Sequence, residues 1–319
     1  MKKLGWMSLH AAWGLALAGS PVQAQEWPAK ATRVVVGMPA AGSADVLGRM
    51  IAQRLAERFG QPFVVENRAG ANSNIGTEVV AKAAPDGYTL AFTTSGPLAN
   101  NRYLYKSMTF DPVKDLVPII LVAEMPSLLV VNPKVPASNL QELVAVARAR
   151  PGQLNAGSSG NGAVNHLTLE LFKTIAKVNV VHVPFKGSPA GELLAGNIQL
   201  LFSPITSVVS QTQSGKLRAL AVTAKDRFAG LPDVPTAIEQ GYDIDASTYF
   251  ALVGPTGMSA ATIGKLNQEV NQFLNLAPTR EKLTALGATV IGGPPERVRN
   301  MIDTESKKWK PIIESTAVR

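Results

Sequence analysis

The sequence predicts an α/β protein built as two lobes, and three observations support this. Between residues 32 and 96, three short apolar runs alternate with two helical segments. After about residue 104 the pattern changes, and a second series of alternating strands and helices follows. The last part of the chain is dominated by helices, which need a sheet to pack on. Because the first block has few helices of its own, we expect this tail to return to it, with more than one crossover between the lobes.

The first block has the alternation that is typical of a parallel sheet. A β-branched run at 32–37 predicts a buried strand, and apolar residues at helical spacing from Val46 predict a helix that Gly60 ends. Strands at 63–67 and 89–94 enclose a predicted helix at 75–83. In such units, ligands collect where the carboxyl ends of strands meet helix starts.

The second block repeats this alternation. Two strands are predicted at 118–123 and 128–131, then a helix at 139–149, a loop from residue 155, and a helix from 164 to about 175. Further strands are predicted at 178–183, 198–203, 216–223 and 249–253, with a short helix ending near residue 194. The tail contains predicted helices at 260–275, 279–286 and 295–315.

The N-terminus has the three parts of a secretory signal peptide. Lys2 and Lys3 precede an apolar stretch at 4–17, and Val22-Gln23-Ala24 fits a small-x-small cleavage site. We expect residues 1–24 to be removed by cleavage near Ala24, which predicts an exported protein. The alternative is a hydrophobic N-terminus that stays in the cytoplasm. Beyond it, no run of 18 apolar residues predicts a membrane span.

Composition narrows the possible chemistry. The chain has no cysteine, which excludes disulfides, zinc–thiolate sites and cysteine nucleophiles. The formal net charge is +8, but the basic residues are scattered and are not interleaved with aromatic residues. We therefore expect no nucleic-acid partner, whereas a mild positive charge suits an anionic small molecule.

The stretch at 155–167 carries most of the functional information. It holds three glycines, together with serines and asparagines, before the apolar run at 167–172. Glycine lets the backbone approach a ligand, and the start of a helix offers free N–H groups with partial positive charge. Serine and asparagine favour helix starts. Our hypothesis is that this loop holds the negative end of a small ligand; the alternative is a turn that only caps a helix.

Enzymatic alternatives lack their required residues. A nucleophile elbow needs the pattern G-x-S-x-G. Residues 157–161 read GSSGN, so Asn161 stands where the pattern requires glycine. Outside the leader, the histidines are His166 and His182, which without cysteines form no recognisable metal site. The loop at 39–45 lacks both the dinucleotide and the Walker glycine patterns. We predict no catalytic residues, no metal and no cofactor, and we expect His166 to support the helix start without touching the ligand.

Eight motifs occur in one order along the chain, and together they carry a resemblance. They are PAAGSAD at 39–45, VVENRAG at 64–70, NIG at 74–76, AAPDGYTL at 83–90, FDPVKD at 110–115, SSGNG at 158–162, VHVPFKG at 181–187 and GKLRALAVT at 215–223. With these motifs the chain resembles the Bug family of extracytoplasmic solute receptors, the binding components of tripartite tricarboxylate transporters. The similarity covers essentially the whole chain after the leader.

The resemblance implies a two-lobe periplasmic-binding-protein fold, the Venus flytrap, with a ligand cleft between the lobes. We place lobe 1 at 25–103 together with 225–319, and lobe 2 at 104–224. The family implies a periplasmic receptor for a small carboxylate, and large and small integral-membrane transporter subunits as partners. We expect a monomer whose lobes close on the ligand.

The resemblance also implies the ligand-binding residues, which come from two facing loops and from the ends of two strands. They are Ala40, Ala41, Gly42, Ser43 and Asp45, then Thr94 and Ser95, then Ser158, Ser159, Gly160, Asn161 and Gly162, and finally Ser203.

Three departures from the family pattern bear on the ligand. Ala41 stands where a glycine is usual, and Tyr249 stands where a tryptophan is common. Ser203 occupies a position that is often aspartate, which can pair with a ligand ammonium group. We therefore expect a di- or monocarboxylate without an amino group, either aliphatic or aromatic. An alternative function with the same fold is a periplasmic ligand-sensing partner of a signalling protein.

Overall fold

The computed structural model describes residues 27–185 and 187–315. The expected signal peptide at 1–24 and its cleavage site near Ala24 lie outside the described residues. The strands are β1 (Thr32–Val36), β2 (Phe63–Asn67), β3 (Thr89–Thr94), β4 (Leu116–Val131), β5 (Asn155–Ser158), β6 (Val181–Pro184), β7 (Leu200–Pro204), β8 (Arg218–Val222), β9 (Ser247–Pro255) and β10 (Thr289–Val290).

Helices alternate with these strands along much of the chain. They are α1 (Ser43–Phe59), α2 (Asn74–Ala81), α3 (Asn101–Leu104), α4 (Leu140–Ala149), α5 (Val164–Ala176), α6 (Ala190–Ala195), α7 (Ile205–Gln213), α8 (Ala260–Leu274), α9 (Ala277–Ala285) and α10 (Glu296–Ser315). A π-helical turn at Gly96–Asn100 precedes α3.

The first sheet runs in the order β2-β1-β3-β9-β4, with β10 on β4. β1 is parallel to β2 and β3, as predicted, whereas β9 is antiparallel to both β3 and β4. Successive residues of β1 face opposite sides of this sheet. Val34 packs with α1 and α8, and Val35 packs with α2 and with the first half of α10. Both faces are therefore covered by helices.

The second sheet contains β8, β7, β5 and β6. Both β7 and β8 pair antiparallel with β4, β5 is parallel to β7, and β6 is parallel to β5. Leu129 belongs to the core under α4 and α5, and its neighbour Leu128 belongs to the core under α6 and α7. The second α/β unit is thus also a sheet with helices on both faces.

One strand, β4, belongs to both sheets. Its first part pairs with β9 as far as Pro126, and from Ser127 onwards it pairs with β7. The prediction of two separate strands at 118–123 and 128–131 is therefore wrong. Pro126 separates the two apolar runs, but it lies where the strand changes partners, and there a residue without an N–H group is tolerated.

One further prediction in the second unit is corrected, and one helix was not predicted. Residues 155–158 form β5 and not a loop, because β6 and β7 hold this short segment from both sides. Its sequence, NAGS, contains no β-branched residue and so has weak strand propensity. Helix α7 was not predicted, because ITSVVSQTQ is rich in β-branched and hydroxyl residues that disfavour helices in isolation.

The tail returns to the first sheet and then continues beyond it. Val298 and Ile302 of α10 pack in the first lobe, and Trp309 and Ile313 of the same helix pack in the core of the second. Residues 228–246 also pack against second-lobe strands, through Phe228, Ala237, Ile244 and Ala246. The lobe boundaries at 103/104 and 224/225 stay a prediction, and this packing favours a return to lobe 1 at the start of β9.

Candidate ligand-binding cleft

The β1–α1 loop is held in shape by one carboxylate, that of Asp45. Its Oδ2 accepts hydrogen bonds from the Ala41 N–H at 2.9 Å and from Arg49 Nε at 3.0 Å. Its Oδ1 accepts one from Asn67 Nδ2 at 2.9 Å and lies 3.0 Å from an Arg49 terminal nitrogen. The hydrogen bond from Arg49 is the main cause that lowers the pKa of Asp45. Because both oxygens are occupied within the lobe, Asp45 shapes the loop.

The rest of this loop presents backbone. Ala40 and Ala41 are exposed, and Gly42 and Ser43 are half-buried. Gly42 occupies the cap position of α1 in an extended conformation, and no side chain caps the helix. The first-turn N–H groups of α1 are therefore available to an anion.

Thr94 and Ser95 lie at the same edge of the sheet, because β1 and β3 are parallel neighbours. Both residues are buried. Ser95 Oγ accepts a hydrogen bond of 3.4 Å from the Tyr249 N–H on β9. Burial raises the pKa of the Tyr249 phenol. The two predicted residues thus lie buried inside the lobe, and Ser95 contacts the residue that stands where the family often has tryptophan.

Our sequence reasoning missed an asparagine network at this edge. Asn101 Oδ1 accepts from Asn72 Nδ2 at 2.8 Å, and Asn101 Nδ2 donates to the Asn72 carbonyl at 2.9 Å and to Asn74 Oδ1 at 2.6 Å. Ala71, Asn72 and Ser73 have consecutive φ values of 46°, 51° and 71°. Such conformations are costly for residues other than glycine and persist only where their surroundings enforce them.

A run of small polar residues directly after β2 was the available signal for this network. The buried Ser73 Oγ and Asn100 Oδ1 have no hydrogen-bond partner within the described part of the chain. Buried polar atoms are nearly always paired, so unpaired ones mark positions where a ligand or water can bind.

The second-lobe loop, Ser158 to Gly162, is braced from within. Ser158 Oγ donates to the Gly160 carbonyl and accepts from the Gly160 N–H, both at 3.1 Å. The Ser159 N–H and Oγ both donate to Asn165 Oδ1 at 3.3 Å. The side chains of Ser159 and Asn161 are exposed. Several amides that we expected to face the ligand are therefore used inside the loop.

The glycines of this loop satisfy real backbone requirements. Gly160 and Gly162 have φ values of 127° and 74°, which disfavour other residues. A Cβ at Gly162 would lie 3.2 Å from both δ-methyl groups of Leu104, at the end of α3. The Gly162 N–H donates to His166 Nδ1 at 3.1 Å, so the prediction that His166 supports the helix start is confirmed.

The following helix, α5, has no side-chain cap. Ala163 occupies its cap position in an extended conformation. Within the first turn, however, Asn165 Oδ1 accepts a hydrogen bond of 3.1 Å from the His166 N–H. One N–H group at the start of α5 is therefore paired, in part as the turn-and-cap alternative expects, while Ser158 and Ser159 shape the loop.

Ser203 lies near the end of β7, paired with Leu128 of β4 and buried. Helix α7 follows directly, with Pro204 at its cap position and no side-chain cap. A cavity of about 140 Å³ lies beside it and is lined by Ala41 and Ser43 from one lobe, Thr206 from α7 and Met125 from β4. The starts of α1 and α7 therefore meet across the cleft.

The two predicted loops are not hydrogen-bonded to each other in the described part of the chain. Among the described residues, no hydrogen bond joins 40–45 to 158–162; the first loop meets α7, and Gly162 meets Leu104 of α3. Residues 27–185 and 187–315 also contain no cluster of His, Asp or Glu able to hold a metal ion. No helix in this part of the chain is long and apolar enough to cross a membrane.

Residues 47–318 match the sequence family described as Tripartite tricarboxylate transporter family receptor. The chain belongs to this receptor family. It is 37% identical to the protein BugT of Bordetella pertussis over 311 residues, which cover 96% of this chain and 95% of BugT. The resemblance to the Bug family is therefore confirmed.

Solved structures of related receptors show the same fold. The structure of Rpa4515 from R. palustris with adipate has a TM-score of 0.82 and 34% identity, and the match covers 91% of this chain and 98% of that one. MatC from Rhodopseudomonas palustris with bound malate has a TM-score of 0.77 and 30% identity. This match covers 90% of this chain and 100% of the MatC chain. The predicted α/β periplasmic-binding-protein fold is confirmed.

Proposed function

We propose that this receptor captures a small carboxylate in the periplasm and delivers it to the large and small membrane subunits of a tripartite tricarboxylate transporter. The ligand is a di- or monocarboxylate without an amino group, aliphatic or aromatic. The observation that carries this proposal is the meeting of two uncapped helix starts, those of α1 and α7, across a cavity between the lobes.

The lining of that cavity explains the preference for an anion. It has no charged side chain, so the attraction must come from backbone N–H groups and helix dipoles. Hydrogen bonds from such groups to a carboxylate are charge-assisted and stronger than neutral ones. The exposed Ser159 and Asn161 would complete the site from the second loop when the lobes close.

Ser203 argues against an amino acid ligand. An ammonium group that enters this cleft would lose its hydration shell, and a buried hydroxyl cannot replace it as a carboxylate can. The adipate and malate in the two related structures are dicarboxylates without an amino group, which supports this choice. In this proposal the receptor is a monomer that binds its ligand and catalyses no reaction.

Calorimetry with matched ligands tests the proposal. Malate carries a hydroxyl group where aspartate carries an amino group, so comparing their affinities isolates the effect of the ammonium group. Adipate tests whether a longer dicarboxylate also binds. We expect a dicarboxylate to bind and aspartate to bind at least about tenfold more weakly, a difference of roughly 1.4 kcal/mol. Binding of aspartate as tight as that of malate would refute the ligand class. Consumption of a bound carboxylate would refute a pure binding function.

A thermal-shift screen extends this test to mono-, di-, tri- and aromatic carboxylates. A ligand that binds only the folded state at 100 times its Kd adds about 2.7 kcal/mol to the unfolding free energy. The matched control for each acid is its amide, which keeps the size and loses the charge. Equal stabilisation by acid and amide would contradict an anion site.

A further inference from the structure

Two histidines from different elements stack under the second-lobe loop. His166 lies in the first turn of α5 and His182 lies in β6; their ring centroids are 3.6 Å apart and the rings are inclined by only 8°. His166 is 4% exposed. His182 Nε2 lies 2.5 Å from Ser158 Oγ, and His166 Nδ1 accepts the Gly162 N–H at 3.1 Å. The pair therefore contacts both ends of the loop.

These hydrogen bonds determine the proton position of His166 and favour one for His182. Because His166 Nδ1 is an acceptor, the neutral ring must carry its proton on Nε2. Ser158 Oγ can give its single hydrogen to the Gly160 carbonyl, and in that arrangement His182 Nε2 donates to Ser158. Both rings are then neutral Nε2–H tautomers. Protonation of His166 would place an N–H against the Gly162 N–H and break that contact.

The surroundings keep His166 neutral. Burial lowers the pKa of His166 to about 4, and the neighbouring His182 and Lys173 act in the same direction. Burial also lowers the pKa of His182, with Glu170 opposing it and Lys173 adding to it. On α5 itself, Glu170 Oε1 lies 3.7 Å from His166 Nε2 and accepts from Lys173 at 2.8 Å. The facing group from β5 is the uncharged Ser158 hydroxyl.

We propose that His166 and His182 are positioning residues for the ligand: as a stacked neutral pair they hold Ser158 and Gly162 at the spacing that leaves Ser159 and Asn161 exposed in the cleft. This inference rests on the proposed function. His166 sets the Gly162 end through its acceptor nitrogen, and His182 sets the Ser158 end through its donor nitrogen. Neither ring touches the ligand.

The tautomers can be tested without any ligand. The sequence contains three histidines, so a protein labelled with ¹⁵N-histidine gives few imidazole signals. At pH 7 we expect His166 and His182 to show the nitrogen shifts of neutral Nε2–H rings. A protonated ring, or an Nδ1–H tautomer at His166, would overturn the proposal.

Matched substitutions test the positioning. The oxygen of asparagine mimics Nδ1 of histidine, so His166→Asn should keep the Gly162 contact, whereas His166→Leu removes the acceptor. For His182, glutamine mimics Nε2, so His182→Gln should keep the Ser158 contact and His182→Leu should lose it. All four variants lose the ring stacking. At each position, the amide variant therefore controls for the effect of this loss in the leucine variant.

Two readouts decide the outcome. With adipate and malate as probes, we expect the leucine variants to bind roughly tenfold more weakly than the amide variants, measured at a temperature at which every variant is folded. The Gly162 amide should exchange its hydrogen faster in His166→Leu than in His166→Asn. Equal affinities and equal exchange would overturn the proposal. If the native protein binds no carboxylate, the proposed function fails, and amide exchange still decides whether the pair positions the loop.

Discussion

Trp309 Nε1 donates a hydrogen bond of 2.6 Å to Glu305 Oε2, one turn earlier in α10. Glu305 is 1% exposed and lies between the part of α10 that packs in the first lobe and the part that packs in the second. Lys308 Nζ donates to Glu305 Oε1 at 2.6 Å and to the Asp245 carbonyl at 2.7 Å. The helix is thus fixed where the lobes join by a buried carboxylate with partners on both oxygens.

Trp309→Phe should lower the unfolding free energy by about 1–3 kcal/mol, because it leaves one oxygen of a buried carboxylate without its donor. Urea denaturation measures the change. Trp27→Phe is the matched control, since the buried Trp27 Nε1 has no hydrogen-bond partner in the described chain. A loss at Trp27 as large as that at Trp309 would show that ring size, and not the hydrogen bond, decides the result.

Ala41→Gly should raise the unfolding free energy by about 1 kcal/mol. Ala41 has a φ of 64°, a left-handed conformation that costs an alanine about 1–2 kcal/mol, and glycine adopts it without strain. Ala145→Gly, at an exposed position in the middle of α4, should instead destabilise by about 0.5–1 kcal/mol. Thermal or urea unfolding tests the opposite signs; a destabilised Ala41→Gly protein would contradict the backbone argument.

His166 should make the protein less stable in mild acid. Its pKa is lowered from 6.5 to about 4 in the folded state, so below pH 6.5 the unfolded chain binds a proton that the folded chain does not. The contribution of neutral His166 to the unfolding free energy is therefore complete above pH 6.5. It is lost as the pH falls towards 4, and the loss is at most about 3 kcal/mol. Unfolding curves of the native protein and of His166→Asn across this range should converge as the pH falls. Parallel curves would contradict a neutral buried His166.

Ser203→Asp should shift ligand preference towards amino acids. A carboxylate at this buried position can pair with a ligand ammonium group and repels a second ligand carboxylate nearby. We expect the ratio of aspartate to malate affinity to rise at least about tenfold in calorimetry. Ser210→Asp, exposed on α7, is the control that adds the same charge away from the cleft. An equal shift in both variants would assign the effect to net charge.

Gly162→Val should cause a large loss of carboxylate affinity. The new side chain meets Leu104 at 3.2 Å, and the φ of 74° disfavours valine. Gly215 has a similar φ of 71° with nothing within 4 Å of an added Cβ, so Gly215→Val carries the strain without the contact. Calorimetry should show weakened binding only at position 162. Unchanged affinity in Gly162→Val would remove this loop from the site.

The features that the sequence predicted well are those decided by nearby residues. β1 and α1 follow from a β-branched run and from helical spacing, which act within a few residues. β5 and α7 were missed because their conformation comes from the strands and helices around them. No local pattern distinguishes NAGS in a strand from the same letters in a loop.

The candidate site shows the same division. The motif residues around Ser43 and Ser158 could be identified by resemblance, but the roles of several of them could not. Asp45 holds the shape of its loop, and this role depends on a hydrogen bond from Asn67, which is 22 residues away in the sequence. The stacking of His166 on His182 depends on how β6 packs beside α5, and residue spacing carries no information on that distance.

The continuity of β4 has a mechanical consequence. A rotation of one lobe against the other must twist a hydrogen-bonded strand near Pro126 and Ser127, since no slack loop is present at that point. The energy needed to twist the strand rises with the angle of rotation, so the strand favours one relative orientation of the two lobes. Residues that stiffen or soften this segment should therefore alter how fast a captured ligand is released, without touching the ligand.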